Sequence, residues 1–258
     1  MKINRINNIQ DLLEKETSLS INDLCDRFQV SKNTIRRDIA ELEKRGIINK
    51  VYGGITLKND TPAAPEPFAA REIRNTLQKQ AIAKLAATLV HDGDVIYIDS
   101  GTTTMHMIPY LAERKHLTIV TASVYVINAA AAYKDFNVIA TGGSLYMPSK
   151  AFVGPSVLNC LHGYNLSKIF LASTGLSIES GATNASPLEN EIKRCLMQKA
   201  SQKFLLVDVS KIDKASLMTY CQLSELDAVI MDKQPPQKYA EYFTQHNVKL
   251  MIGDTGNE

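Results

Sequence analysis

Apolar residues recur at helical spacing near the start of the chain and as short continuous runs further on. Over Met1 to Lys15, Ile6, Ile9, Leu12 and Leu13 share one face, which predicts a first helix. Ser20 with Asp23 three residues on is a capping-box pattern, opening a helix from Ile21 to Phe28 that buries Ile21, Leu24, Cys25 and Phe28. Gln29 and Val30 leave only a tight corner before a third helix, Ser31 to Arg45. On it Ile35, Ile39 and Leu42 stand at i, i+4 and i+7, one apolar stripe facing a small core. Ser31 caps its start and Gly46 stops it. Ile47 to Tyr52 is short and β-prone, and Gly53-Gly54 breaks it, as in a hairpin wing.

Asn59 to Pro67 then carries three prolines in its last six residues, an extended spacer that no helix crosses. Residues 1–57 are therefore expected to form a winged helix-turn-helix domain, 58–67 a linker, and 68–258 a larger second domain. Phe68 to Val90 reads as one or two helices with Ile73, Leu77, Ile82, Leu85, Ala86 and Leu89 as apolar positions. From Asp94 short apolar strands alternate with helices. Strands are expected at Val95–Ile98, Leu117–Val120, Val138–Ala140, Lys168–Ala172, Phe204–Val207, Ala228–Met231 and Lys249–Ile252. Helices are expected near Met105–Leu111, Val124–Tyr133, Leu188–Ser201 and Tyr239–Gln245. Near-continuous apolar strands in β–α alternation predict an α/β fold with a mostly parallel sheet covered on both faces.

The charge distribution sharpens this picture. The net charge is +2 over 258 residues, and all of it lies in residues 1–57, which hold ten Lys/Arg and eight Asp/Glu. Within Arg27 to Lys50, seven basic residues stand against three acidic ones. A local basic footprint on a neutral body is what binding to double-stranded DNA asks for. On the third helix Ser31, Lys32, Asn33, Thr34, Arg36 and Arg37 lie off the apolar stripe near the N-terminus, where they would meet phosphates and base edges. Lys50 and Tyr52 on the wing would touch the DNA backbone. A solvated basic face on a plain helical domain would explain the charges, but not the agreement of caps, turn length, stripe and wing.

Cys25, Cys160, Cys195 and Cys221 are far apart, and the five histidines form no pair at ligand spacing, so neither a zinc site nor a disulfide framework is indicated. No metal, cofactor or catalytic residue is expected. No apolar run approaches ~18 residues and no signal peptide opens the chain, so a soluble cytoplasmic protein with no membrane partner is expected.

In open α/β sheets ligands bind beyond the carboxyl ends of the strands. Those loops read alike here. Asp99, Ser100, Gly101, Thr102 and Thr103 follow the first strand; Thr121 and Ser123 follow the second; Gly142 and Gly143 follow the third. Ser173, Thr174 and Gly175, with Thr183 beyond, follow the fourth, and the next strand delivers Asp208 and Lys211. Each loop alone is an ordinary cap or turn. Together they suit a small phosphate-bearing, polyhydroxylated ligand. Amides, hydroxyls and Lys211 would hold the phosphate, and Asp99 and Asp208 would accept sugar hydroxyls.

The stretches Val30 to Ile39, Leu42 to Gly46 and Tyr52 to Gly54 resemble the DNA-binding signature of the DeoR family of bacterial transcriptional regulators. Asp99 to Thr103, Thr121 to Ser123, Gly142-Gly143, Gly154, Gly175, Gly181 to Thr183 and Asp208 to Lys211 are similar to that family's C-terminal sensor domain, as are Arg71 and Lys79. Ala122 departs from the family's usual Asn, which puts the ligand contacts of its loop in doubt. The resemblance implies a repressor of sugar or nucleoside catabolism that binds operator DNA as a homo-oligomer. It also implies a phosphorylated sugar as effector, with Lys79 in its site, and a sensor fold similar to ribose-5-phosphate isomerase. The alternative is an isomerase-like enzyme with an appended DNA-binding domain. Isomerisation needs a base beside the substrate's C–H, and Ser173 to Gly175 offers no carboxylate, although Glu179 and Glu189 lie nearby in sequence.

Overall fold

The computed structural model describes residues 2–15, 18–44, 47–51, 54–57 and 68–255. Arg45, Gly46, Tyr52, Gly53 and the spacer 58–67 lie outside the described residues. The chain divides into two compact units, Met1–Pro62 and Ala63–Glu258.

In the first unit α1 (Lys2–Lys15) leads through β1 (Ser18–Ser20) to α2 (Ile21–Phe28) and α3 (Lys32–Lys44), and then to β2 (Ile48–Val51) and β3 (Gly54–Leu57). Ser20 caps α2 in a reciprocal box with Asp23, and the Thr34 amide donates to Ser31 Oγ at 3.3 Å at the start of α3. Gln29, left-handed at φ 50°, makes the corner between the two helices. Ile6, Ile9, Leu13, Leu24, Ile35, Ile39 and Leu42 form one buried core with Leu19, Ile48 and Ile55. Each buried aliphatic side chain contributes roughly 1.5–3 kcal/mol. The wing is a three-stranded antiparallel sheet in the order β1-β3-β2, one strand more than the hairpin the sequence suggests. Gly54 permits the extra pairing, because a Cβ there would stand 2.4 Å from the Leu19 carbonyl oxygen.

The second unit opens with α4 (Phe68–Glu72) and α5 (Thr76–Ala87), then β4 (Val95–Ile98), a 3-10 helix (Thr104–Leu111), β5 (Thr118–Thr121), α6 (Val124–Ala130) and β6 (Asn137–Ala140). A hairpin of β7 (Ser144–Tyr146) and β8 (Ala151–Val153) precedes α7 (Pro155–His162), β9 (Lys168–Ala172), β10 (Gly175–Ser177), β11 (Gly181–Asn184) and α8 (Pro187–Lys199). The chain finishes with β12 (Gln202–Leu206), β13 (Met218–Cys221), β14 (Ala228–Met231), α9 (Gln237–Gln245) and β15 (Lys249–Ile252). Seven strands form an all-parallel sheet in the order β15-β14-β12-β9-β4-β5-β6. Alternate residues feed two cores. Ile96, Ile98, Phe170 and Leu206 meet Ile82, Ala86, Ile108 and Val126 on one face. Tyr97, Ile169, Leu171 and Leu205 meet Val157, Leu161, Leu196 and Phe243 on the other.

The structure adds three points to the sequence reading. The segment at Met105–Leu111 is a 3-10 helix containing Pro109, which has no N–H for an α-helical bond. Phe68 to Ala87 forms two helices, the second of the alternatives above; Ile73 and Leu77 are 81% and 60% exposed, because the chain breaks at left-handed Asn75 and α5 buries its face only from Lys79 onward. The antiparallel pieces β7–β8 and β10-β11-β13 and the helix α7 are additional; strands of three or four residues leave too short an alternation to read.

Candidate functional site

On the first unit, α3 and the Ser31 just before it present Ser31, Lys32, Asn33, Arg36 and Arg37 exposed and Thr34 half-buried. The stripe of Ile35, Ile39 and Leu42 turns these polar residues outward by packing the opposite side into the core. Asp38, within the same run, points the other way. It is buried and accepts Arg5 of α1 through Nε at 2.6 Å and Nη2 at 3.3 Å, which fixes α3 on α1. Lys50 is exposed but pairs with Glu43 of α3 at 2.5 Å, so it also ties the wing to the helix. Tyr52 lies outside the described residues.

In the second unit the chain runs outward from β4 through β5 to β6, then returns to the other side of β4 for β9, β12, β14 and β15. The order therefore reverses between β4 and β9, and a cavity opens at the carboxyl ends of these strands, the place where such sheets bind ligands. Lys79, Asp99, Ser100, Gly101, Thr102, Thr103, Ser173, Thr174, Asp208 and Lys211 line it. They come from α5 and from the loops after β4, β9 and β12, which are adjacent in the sheet. Arg71, Arg74, Asn75, Asn184, Glu189, Lys193 and Ser210 complete the polar lining. In the sequence, Arg71 is marked only by the resemblance above and Glu189 only by lying near Ser173 to Gly175. Asn190, Lys193 and Met197 of α8 are all buried at i, i+3 and i+7, so a polar residue on an inward stripe was the available signal for Lys193.

Six expected residues are not brought to the cavity. Thr121 donates to the Ile98 carbonyl at 2.7 Å and accepts the Ser123 amide, while Ser123 caps α6 through the Val126 amide at 3.3 Å. Gly142 and Gly143 turn the chain between β6 and β7. These four sit at the outer strands β5 and β6, away from the reversal. Gly175 lies in β10 against the Lys214 carbonyl, and the Thr183 hydroxyl donates to the Gly175 carbonyl at 2.9 Å. Ser173 lines the cavity, yet its hydroxyl donates to Gly175 at 2.7 Å and accepts the Thr183 amide.

The cavity's electrostatics are set by five cationic side chains, Arg71, Arg74, Lys79, Lys193 and Lys211, against three carboxylates, Asp99, Glu189 and Asp208. Lys193 is buried and pairs with Asp99, whose Oδ2 also accepts the Ala172 amide at 2.9 Å. Asp99 is thus committed inside the wall. Glu189 accepts the Ser100 hydroxyl at 3.1 Å. Asp208 Oδ1 accepts the Ser210 amide at 3.0 Å and Asn75 Nδ2 at 3.3 Å. The Lys79 ammonium donates to the carbonyls of Arg71 and, at 2.6 Å, Arg74. Burial pulls its pKa down to about 8; nearby Asp208 opposes the fall, and Lys211, Arg71 and Arg74 add to it. Gly101 serves packing: a Cβ there would lie 2.2 Å from Ala172 Cβ, so the loop after β4 can close on β9 only without one. The amides of Gly101, Thr102 and Thr103 donate to no acceptor among the described residues. Unspent amides and an excess of cations are the means by which proteins hold anions. Among the described residues no cluster of His, Cys, Asp or Glu could hold a metal ion, and no helix is long and apolar enough to cross a membrane.

A family model for the DeoR-like helix-turn-helix domain matches residues 5–61, and one for the DeoR C terminal sensor domain matches residues 74–233. The HTH-type transcriptional regulator IolR of Bacillus subtilis (strain 168) is 38% identical over 98% of this chain and 100% of its own. The HTH-type transcriptional repressor GlcR of the same organism is 29% identical over 95% and 93%. A lactose phosphotransferase system repressor of Staphylococcus aureus (strain NCTC 8325 / PS 47) is 32% identical over 92% and 94%. Among solved structures, ribose 5-phosphate isomerase A from Methanocaldococcus jannaschii aligns with a TM-score of 0.40 and 20% identity over 53% of this chain and 54% of that one.

Proposed function

The chain belongs to the DeoR family of DNA-binding transcriptional regulators, and from that premise we propose that it represses a carbohydrate-catabolic operon under control of a phosphorylated sugar bound in the cavity of its second unit. The observation that carries this reading is the cationic excess at the point where strand order reverses. Arg71, Arg74, Lys79 and Lys211, with the amides of Gly101 to Thr103, take the phosphate. Ser100, Asn184, Glu189 and Asp208 take hydroxyls, while Asp99 stays with Lys193. Two of the named relatives are repressors, one of a lactose phosphotransferase system, and this supports the carbohydrate assignment.

On DNA, Lys32, Asn33, Thr34, Arg36 and Arg37 read the major groove, while Ser31 and the wing residues Lys50 and Tyr52 meet phosphates. One recognition helix reads too few bases for genomic specificity, so the protein acts in the cytoplasm as a homo-oligomer on repeated half-sites. The cavity senses its ligand rather than converting it. The loop Ser173 to Gly175 after β9 carries no carboxylate, and the three carboxylates of the cavity are already engaged: Asp99 by Lys193, Glu189 by the Ser100 hydroxyl, and Asp208 by the Ser210 amide and Asn75.

Calorimetry of the full chain against a panel of sugars and their phosphates tests the assignment. Phosphorylated sugars should bind and their parent sugars should not; the binder should shift the DNA affinity of wild type and not of Lys211→Ala. Equal affinity for both forms of every sugar would remove the phosphate from the mechanism. Turnover of ribose 5-phosphate would restore the enzyme reading.

A further inference from the structure

Past the buried Phe68, one wall of the cavity is held more by polar bonds than by apolar packing. From Arg71 to Gln78 no residue is buried, and burial begins at Lys79, continuing through Ala81, Ile82 and Ala83. A segment with so few buried apolar contacts has low local stability of its own. Besides the Arg71 guanidinium over the buried Phe68 ring and the Thr76 hydroxyl on the Glu72 and Ile73 carbonyls, its anchors are side chains of the cavity itself. Lys79 donates to the carbonyls of Arg71 and Arg74, and Asn75, left-handed at φ 54°, donates to Asp208. An ammonium has three donors. Two are spent on these carbonyls, and the third has no acceptor among the described residues.

We propose that Arg71–Asn75 is a strap whose closure over the cavity is coupled to occupancy by a phosphate group through the Lys79 ammonium. The inference rests on the reading that the cavity takes a phosphate. A dianion beside Lys79 offsets the repulsion from Lys211, Arg71 and Arg74, and so strengthens the hold of the ammonium on both carbonyls. Closure in turn brings Arg71 and Arg74 to the ligand, so strap order and ligand affinity rise together. In sequence the strap follows the spacer 58–67, which puts an occupancy-dependent segment at the entrance to the second unit.

Hydrogen–deuterium exchange of the full chain in about 20 mM inorganic phosphate, against chloride of equal ionic strength, tests the coupling, with a melting curve recorded in parallel. Phosphate should raise the melting temperature and slow exchange of the amides of residues 72–78 by about fivefold or more, leaving β4 and β9 unchanged. In Lys79→Met that protection should vanish while β4 and β9 remain protected. A raised melting temperature with no change in the strap overturns the strap and leaves the phosphate site standing. Neither effect in wild type overturns both. Full strap protection in Lys79→Met removes the lysine from the coupling. The wild-type comparison decides by itself if that variant does not fold.

Discussion

Lys193 and Asp99, 94 positions apart in the sequence, together clasp both backbone polar groups of Ala172. Asp99 accepts the Ala172 amide at 2.9 Å, Lys193 donates to its carbonyl at 2.7 Å, and the two charges meet between them. The clasp joins the end of β4, the end of β9 and helix α8, three of the elements that form the cavity. Tyr220 adds to it, donating to the same carbonyl at 3.2 Å, and burial raises its phenol pKa well above the ordinary value.

Breaking this pair from one side leaves a buried charge alone. Lys193→Met is expected to lower the stability of the second unit by ~3–5 kcal/mol, and Asp99→Leu by a similar amount. The double variant should lose clearly less than the sum, because neither charge is then stranded. Guanidinium unfolding of the three variants measures this; strictly additive losses would count against a coupled pair.

Gly101 and Ala172 supply a test of loop closure. Gly101→Ala should weaken ligand binding by about tenfold or more, since its new methyl meets Ala172 Cβ and pushes the Asp99–Thr104 loop off β9. Ala172→Gly in the same chain removes the opposing methyl and should restore much of the affinity. Calorimetry on the single and double variants checks this, and an undiminished Gly101→Ala would show that the loop has room.

Ligand affinity should depend on pH through Lys79. In the free protein its ammonium is lost as pH rises through about 8. A phosphate dianion, the form present above about pH 6, prefers the ammonium form, so affinity is full between there and about pH 8 and falls above it, approaching about tenfold per pH unit. Calorimetry at about pH 7 and about pH 9, in buffers of different ionisation heat, should show proton uptake on binding near pH 8. Lys79→Met should show neither effect. The stability of the unliganded fold carries the opposite sign. A folded pKa below the unfolded value of 10.5 penalises the protonated form, and the penalty is relieved as pH rises from about 8 toward 10.5.

On DNA, Arg36→Ala and Arg37→Ala should each cost ~1–3 kcal/mol where the arginine reads a base. Lys50→Ala should cost less, because Lys50 shares its charge with Glu43 in an exposed pair. Titrations of a promoter fragment bound by wild type, repeated at several salt concentrations, separate base reading from phosphate contact by the salt slope. Wild-type affinity in the Arg36→Ala/Arg37→Ala double variant would move the interface elsewhere.

The sequence by itself determined the helix-turn-helix, because every signal and its partner lie within a few residues. Ser20 caps Asp23, Ser31 caps Thr34, and Ile35, Ile39 and Leu42 share a stripe whatever else the chain does. It also determined the parallel sheet with two covered faces, since a run such as Val95–Ile98, apolar at every position, has no solvent side to offer. Helical spacing could not place Ile73 and Leu77, which are exposed where a left-handed Asn75 separates α4 from α5. Only the tertiary structure decided which loops converge. The residues after β4, β9 and β12 line one cavity because those strands are neighbours, whereas Thr121, Ser123, Gly142 and Gly143 follow strands that lie outward. Hydroxyls and glycines look alike in all of these loops. Strand order is fixed by long-range packing of both sheet faces, and no local pattern encodes it. The same cause hid the partner of Asp99: nothing near it in sequence announces a lysine on α8, 94 residues away.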